Sequence, residues 1–238
     1  MDALGTRRAA LLASAAATPG FLPEDEALAL CELARLAGSS GLGPLLEVGA
    51  YLGRSSLYLA AGLLGSGAVL YSVDHHHGSE EMQSGWEHHD PALVGEDGAM
   101  ETLHAWRRAI VGAGAEDLVV GVIGESSRVA ANWATPLSLV FIDGGHAEAA
   151  CRADYLGFAP ALGPGGLLAF HDVFPEGRGG GEAPWRCYLE ACASGEFAPE
   201  PTLSCGSLAV ARRVASSTAV VAAPPASASR ARSAAAAE

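Results

Sequence analysis

Between residues 44 and 171 the chain alternates short aliphatic runs with segments of helical periodicity, and no other feature constrains its fold as tightly. Strand-like runs fall at 44–49, 68–73, 118–123, 137–142 and 166–171. Helical segments separate them at 53–64, about 96–113, about 126–133 and 146–162. A strand that returns to its own sheet through a helix must do so as a parallel crossover, so the expected architecture is α/β, a doubly wound parallel sheet with helices on both faces. A helix at 24–36 precedes the alternation, with Glu24, Asp25 and Glu26 in a first turn that suits the helix dipole. After a helix at about 183–194, short runs at 200–203 and 207–211 meet at Cys205-Gly206 and read as an antiparallel hairpin.

The expected organisation is one domain over 23–213. An Ala-rich helix or flexible arm (1–22) comes before it, and a disordered Ala/Ser-rich tail (214–238) follows. Arg7 and Arg8 before a short Ala-dominated stretch resemble a weak export signal, but the stretch reads better as a leading helix. A formal charge of −13 opposes nucleic acid and anionic membrane surfaces as partners. The five cysteines are scattered and odd in number, which suits reduced thiols. No apolar run approaches the roughly 20 residues of a membrane span.

The chemistry begins where the first strand meets the first crossover helix. Leu45-Leu46-Glu47-Val48 leads into Gly49, and Gly53 opens the helix, so backbone and a ligand can approach closely. Such turns also arise for packing alone. Asp74, ending the second strand about 25 residues on, adds an acid placed to bind a ribose diol at the carboxyl edge of the sheet. The turn lacks the Gly-x-Gly-x-x-Gly spacing of a dehydrogenase.

The later strands deliver Gly124-Glu125-Ser126, Phe141-Ile142-Asp143-Gly144-Gly145-His146, and Pro164-Gly165-Gly166 followed by His171-Asp172 to the same edge. With these motifs the chain, over about 42–212, resembles class I S-adenosylmethionine-dependent methyltransferases. Within them it is similar to the metal-dependent sugar O-methyltransferases, the branch of macrolide-sugar, mycobacterial-polysaccharide and cephalosporin-biosynthetic enzymes. The resemblance implies a Rossmann-like, seven-stranded sheet, mostly parallel with an antiparallel C-terminal strand. It implies that Glu47, Gly49 and Gly53 line the methionine side of the cofactor, with Tyr51 and Ser55 as helpers. Asp74 would hold the ribose and Glu125 and Ser126 would flank the adenine. Acids at the positions of Asp143 and Asp172 bind Mg²⁺ in that branch. Here His171 stands beside Asp172, and a histidine in the set leaves Mn²⁺ as an alternative.

His146, near the expected methyl group, is a candidate general base. It could equally cap a helix or orient Asp143, which is itself the competing base. The long segment 74–95 carries His75, His76, His77, Glu81, Gln83 and Trp86, a polar and aromatic set suited to a sugar ring. Its histidines lack the spacing of a zinc site. The expected acceptor is therefore a small molecule or oligosaccharide bearing a hydroxyl. A catechol or other phenol, or a non-catalytic cofactor-binding role, are the alternatives. A cofactor made in the cytoplasm places the protein there, and a homodimer is compatible with the resemblance. Gly177–Glu182 reads as a flap near the site, and Arg54 and Arg152 as surface or ion-pair residues.

Overall fold

A computed structural model of the chain describes residues 3–86, 88–174 and 182–215. Its strands are β1 (Leu45–Val48), β2 (Leu70–Asp74), β3 (Val119–Ile123), β4 (Leu137–Ile142), β5 (Leu162–Phe170), β6 (Phe197–Pro199) and β7 (Ala209–Arg213). They form one seven-stranded sheet in the order β3-β2-β1-β4-β5-β7-β6. The first five run parallel, while β7 is antiparallel to both β5 and β6. The helices are α1 (Ala3–Ala17), α2 (Glu24–Gly38), α3 (Arg54–Leu63), α4 (Leu103–Gly112), α5 (Ser126–Ala130), α6 (Glu148–Phe158) and α7 (Glu182–Ala193).

The two-residue period of the strands divides the core. Leu45, Leu139, Phe141 and Leu167 face one way, onto Leu11 of α1, Leu30 and Leu33 of α2, and Leu57 and Leu59 of α3. Leu46, Val140, Ile142 and Phe170 face the other way, onto Tyr155 and Phe158 of α6 and Cys187 and Ala191 of α7. β1 and β4 are buried along their whole length, which is why they read as near-continuous apolar runs. The chain moves outward from β1 to β3 and then crosses back to β4 on the other side of β1. That reversal opens a crevice at the carboxyl ends of β1 and β4, where a doubly wound sheet takes its ligand.

Several boundaries differ from the sequence expectation. The helix expected from 96 starts at Leu103, because Gly98, at φ 81°, closes a turn in which Gly95 donates to the Ala99 carbonyl. α6 is shorter at both ends, bounded by Gly144-Gly145 before it and by Pro160 after it. The terminal hairpin stands, but its strands are displaced. Residues 200–203 turn around Pro201, and pairing occurs at 197–199 and 209–213 instead. The flap expected at 177–182, except Glu182, and the tail from 216 onward lie outside the described residues. No helix among the described residues is long and apolar enough to cross a membrane.

The α1–α2 connection is held by Arg54 at the start of α3, which has no ion pair among the described residues and turns its guanidinium inward. Its guanidinium donates to the carbonyls of Ala16 (3.0 Å) and Thr18 (3.2 Å), acceptors left over at the end of α1, and to that of Leu22 (3.0 Å) in the connection. This draws Gly20, Phe21 and Leu22 to the edge of the crevice.

α2 and α3 cross closely at Gly62, where a Cβ would sit 2.2 Å from the Cys31 carbonyl oxygen and 2.7 Å from the Ala34 Cβ. Gly112 in α4 has nothing within 4 Å of the same position. Gly62→Ala should therefore destabilise the fold by roughly 1–3 kcal/mol despite alanine's better helix propensity. Gly112→Ala should leave stability unchanged or raise it by up to about 1 kcal/mol. Urea unfolding of the two variants measures the contrast.

Candidate active site

The crevice is a cavity of about 800 Å³. Its floor is the turn after β1. Gly49 has φ 88°, and a Cβ there would come 2.2 Å from the Asp143 carbonyl oxygen, so only glycine lets the ends of β1 and β4 approach this closely. Asp74 closes the turn from the neighbouring strand. Its Oδ2 accepts from the backbone N–H of Ala50 (2.8 Å) and Tyr51 (3.0 Å), and its Oδ1 from that of His76 (2.7 Å). A carboxylate has about four acceptor positions, so one remains for a hydroxyl in the cavity that Asp74 lines. Tyr51 is held at φ 46°, a conformation costly for a non-glycine residue and sustained here by that carboxylate.

Of the candidate cofactor residues, Gly49, Tyr51, Ser55, Asp74, Glu125, Ser126 and Asp143 line the cavity, whereas Glu47 and Gly53 do not. Gly53 caps α3 at φ 97°. Glu47 is wholly buried one layer beneath the wall. Its carboxyl accepts from Ser55 (3.0 Å), Ser72 (2.6 Å) and Ser56, and Ser56 in turn accepts from the Trp106 indole (3.2 Å). Burial outweighs the three hydroxyls and pushes the Glu47 carboxyl up to about 7.

At the far end two imidazoles bind four carboxylates. His171, buried at the end of β5, donates from Nδ1 to Asp143 (3.0 Å) and from Nε2 to Glu26 (2.9 Å), with Asp172 3.3 Å from Nδ1. Burial opposes its charge, but Asp143, Asp172 and Glu26 together raise it to about 12, so both nitrogens carry protons. Glu26 is fixed by the Ser207 N–H (2.7 Å) and hydroxyl (2.9 Å). Burial works to raise the Glu26 carboxyl, yet the bonds from His171 and Ser207 hold it below its ordinary value.

His146 lies between Asp172 (Nε2, 3.0 Å) and Glu81 (Nδ1, 3.1 Å), and its pKa is raised, first by the Asp172 bond and then by the Glu81 charge, against the effect of burial. Asp172 sits at φ 54°. Burial would raise its carboxyl, but the two imidazoles drive it far below the usual carboxylate range. Asp143, His171 and Asp172 each offer one ligand atom, all within 4.8 Å of one another.

The loop after β2 divides in two. His75, Glu81 and Trp86 line the cavity, while His76, His77 and Gln83 hold the loop in shape. His76 is buried, with Nδ1 2.8 Å from the Thr102 hydroxyl, and burial lowers its pKa. His77 meets the Met100 carbonyl, and the Gln83 amide donates to the carbonyls of His77 and Ser79. Glu81 also ties the loop to His146.

Glu26, Asp154, Phe21 and His88 belong to the wall or its support and were not among the candidate site residues read from the sequence. The first two had a signal, for each is an acid at a core-facing helical position. Glu26 precedes Leu30, Leu33 and Ala37 on the buried stripe of α2, and Asp154 lies with Cys151, Tyr155 and Phe158 on that of α6. Phe21 had none, while His88 stood out only as one of the clustered histidines of the 74–95 loop.

Glu47 gives a stability signature with a definite sign. Its folded pKa, about 7, lies above its ordinary value of 4.5, so ionisation in the folded state costs stability as pH rises from about 4.5 through 7. Glu47→Gln should remove that loss. Relative to the variant, the wild type should lose on the order of 3 kcal/mol between pH 4.5 and pH 8. Denaturant unfolding of both proteins across this range checks the slope.

Solved structures of similar shape share this arrangement of strands and helices. The cofactor-bound Rv0187 from MTB is 19% identical, with 87% of this chain and 89% of that one covered at a TM-score of 0.59. An O-methyltransferase from Bacillus cereus in complex with SAH is 17% identical, covering 88% and 91% at 0.56. The O-methyltransferase TomG from Streptomyces achromogenes, in complex with SAM, is 16% identical, covering 90% and 91% at 0.56. At such identities these likenesses establish the fold. The family model described as a methyltransferase domain matches residues 46–173, more than half of the 238 and the span from β1 to the end of the His171-Asp172 motif. The chain belongs to that methyltransferase domain family.

Proposed function

We propose that this protein is an S-adenosylmethionine-dependent O-methyltransferase that methylates a hydroxyl of a sugar or glycoside, assisted by Mg²⁺ or Mn²⁺. One observation carries the reading. A single cavity joins the turn stapled by Asp74 to the cluster of Asp143, His146, His171 and Asp172. The SAH and SAM held by the two O-methyltransferases of the same fold support the choice of cofactor.

S-adenosylmethionine supplies an electrophilic methyl group on its sulfonium. Asp74 keeps one acceptor position for the ribose, and the Gly49 turn leaves room for the chain that bears the sulfur. His146 takes the acceptor's proton once its own is lost, with Glu81 and Asp172 fixing the plane of the ring. The donor set fits a hard divalent cation. Glu26 engages His171 Nε2, which leaves Nδ1 turned toward the two aspartates, the usual pattern of a carboxylate behind a metal-binding histidine. A cation held by Asp143, Asp172 and His171, whose Nδ1 would give up its proton on binding, would supply Lewis-acid polarisation of the acceptor oxygen. In that case Asp143 serves the cation, leaving His146 as the base.

Trp86, 54% exposed at the cavity edge, offers a face to the C–H surface of a sugar ring, with Glu81 and His75 to bind hydroxyls. A phenolic acceptor is the second reading, and the N-terminal connection favours it. Phe21 stacks on Tyr51 (5.5 Å, 29°) and lies 4.7 Å from His88, an aromatic rim on the same cavity.

The test is transfer of labelled methyl to mannosides, glucosides and catechols, with and without EDTA. Transfer to a glycoside that EDTA abolishes is expected. His146→Ala should lower kcat roughly 10²- to 10⁴-fold while cofactor affinity is kept. Transfer insensitive to EDTA and to Asp143→Ala would reject the cation, and no transfer to any acceptor would leave a binding protein. Trp86→Ala should raise KM for a glycoside about tenfold or more with little change in kcat, whereas Phe21→Ala should do so for a phenol.

A further inference from the structure

Asp154 is the one buried acid among the described residues that line the cavity, and the mechanism above does not use it. It belongs to α6, is 4% exposed, and borders the cavity beside Ser126 and Gly144. Ser126 follows β3 and Gly144 follows β4, so the carboxyl stands behind the wall that these two loops form. Its Oδ1 accepts from the Ser126 hydroxyl at 2.5 Å. Its Oδ2 has no hydrogen-bond partner among the described residues, whereas every fully buried polar side-chain atom among them has one. That oxygen therefore keeps access to the cavity. Space for it depends on Gly144, where a Cβ would come 3.0 Å from Oδ2.

On the β3 side of Asp154 the neighbouring side chains, Ser126 and Glu125, offer acceptors. The Ser126 proton is committed to Asp154, and Glu125 is a further carboxylate close enough to raise the Asp154 pKa. Burial is the larger cause, and together they push it up to about 6 against the Ser126 bond, so the group is ionised in mildly alkaline solution. A ligand that satisfies the open Oδ2 must present a hydrogen-bond donor. Of the two purine edges that a nucleoside could offer at this point, an exocyclic amine supplies one and a carbonyl oxygen does not.

We propose that Asp154 is a specificity residue that accepts a hydrogen bond from the exocyclic amino group of the cofactor's adenine through Oδ2. The inference rests on the reading of the cavity as an adenosyl site. It explains why an acid occupies the apolar stripe of α6.

The experiment is calorimetric binding at pH 8 to the full chain, with S-adenosylhomocysteine and S-inosylhomocysteine, which carries oxygen in place of the amino group. The wild type should prefer the adenosyl compound by about 10- to 100-fold, the range for a buried hydrogen bond to a charged group. Asp154→Ala should lose most of that preference, with affinity for the inosyl compound within about threefold of wild type. Asp154→Asn, whose amide can turn either edge to the ligand, should bind both compounds with similar affinity. Equal binding of the two compounds by the wild type would overturn the proposal without recourse to any variant. So would an equal loss of both compounds in Asp154→Ala, which marks a merely structural acid. Failure of the wild type to bind either compound would remove the adenosyl-site reading and the proposal with it.

Discussion

The bonds around His171 hold the site together. The ring joins Glu26 of α2 to Asp143 at the end of β4 and Asp172 after β5, while Ser207, on the approach to β7, secures Glu26. Four separate stretches of chain thus converge on one imidazole. Burying an ion pair costs several kcal/mol per charge, and only good geometry with the remaining lone pairs satisfied offsets it. Here three carboxylates meet two N–H donors, and Ser207 supplies both a backbone and a hydroxyl donor to Glu26. Removing Glu26 alone would leave a buried imidazolium half-partnered, the costly way to break such an arrangement.

That junction fixes the shape of the crevice. Because α2 is tied to the ends of β4 and β5, the segment before it is carried along the rim, and Arg54 presses the same segment onto α3. Phe21 thereby reaches Tyr51. The three non-glycine residues with positive φ among the described residues, Tyr51, His76 and Asp172, all bond to or adjoin the acids of the site. Asp74 accepts from the backbone of Tyr51 and of His76, and Asp172 is gripped by both imidazoles. Strain of this kind persists only where surrounding contacts over-determine it.

Much of this was legible in the chain. The alternating strands and helices, the turn after β1, Asp74 and the Asp143–His146 and His171-Asp172 motifs all come from short-range pattern, and they converge at one sheet edge because a doubly wound topology sends every strand's carboxyl end there. What escaped depends on contacts distant in sequence. Glu26 lies 145 residues from His171, and its position in a first turn had a sufficient local explanation in the helix dipole. The length and polarity of the loop after β2 marked it out in the sequence, and it does border the cavity. Which of its histidines face the cavity was not legible, since His76 and His77 are turned away by Thr102 and Met100, partners that lie beyond an irregular stretch with no period to count. The displaced strands β6 and β7 show the same limit, for a register is set by the partner strand and not by either run alone.

Three buried acids show how the number and charge of donors decide what a carboxyl becomes. Glu26 receives an imidazolium, an N–H and a hydroxyl, and is held below its ordinary pKa. Glu47 receives three neutral hydroxyls and is pushed up to about 7, so its burial is only partly offset. Asp154 receives one hydroxyl and is raised to about 6, with one oxygen still open to the cavity. The first acid is a strut, whose partners complete it within the fold. The second supports Ser55, the wall residue above it, and keeps a cost that depends on pH. The third has fewer donors than either, and an acid left short of donors beside a cavity costs free energy that a ligand's N–H can offset. The order of these three residues therefore runs from structure toward recognition, and it follows from counting the hydrogens that reach each oxygen.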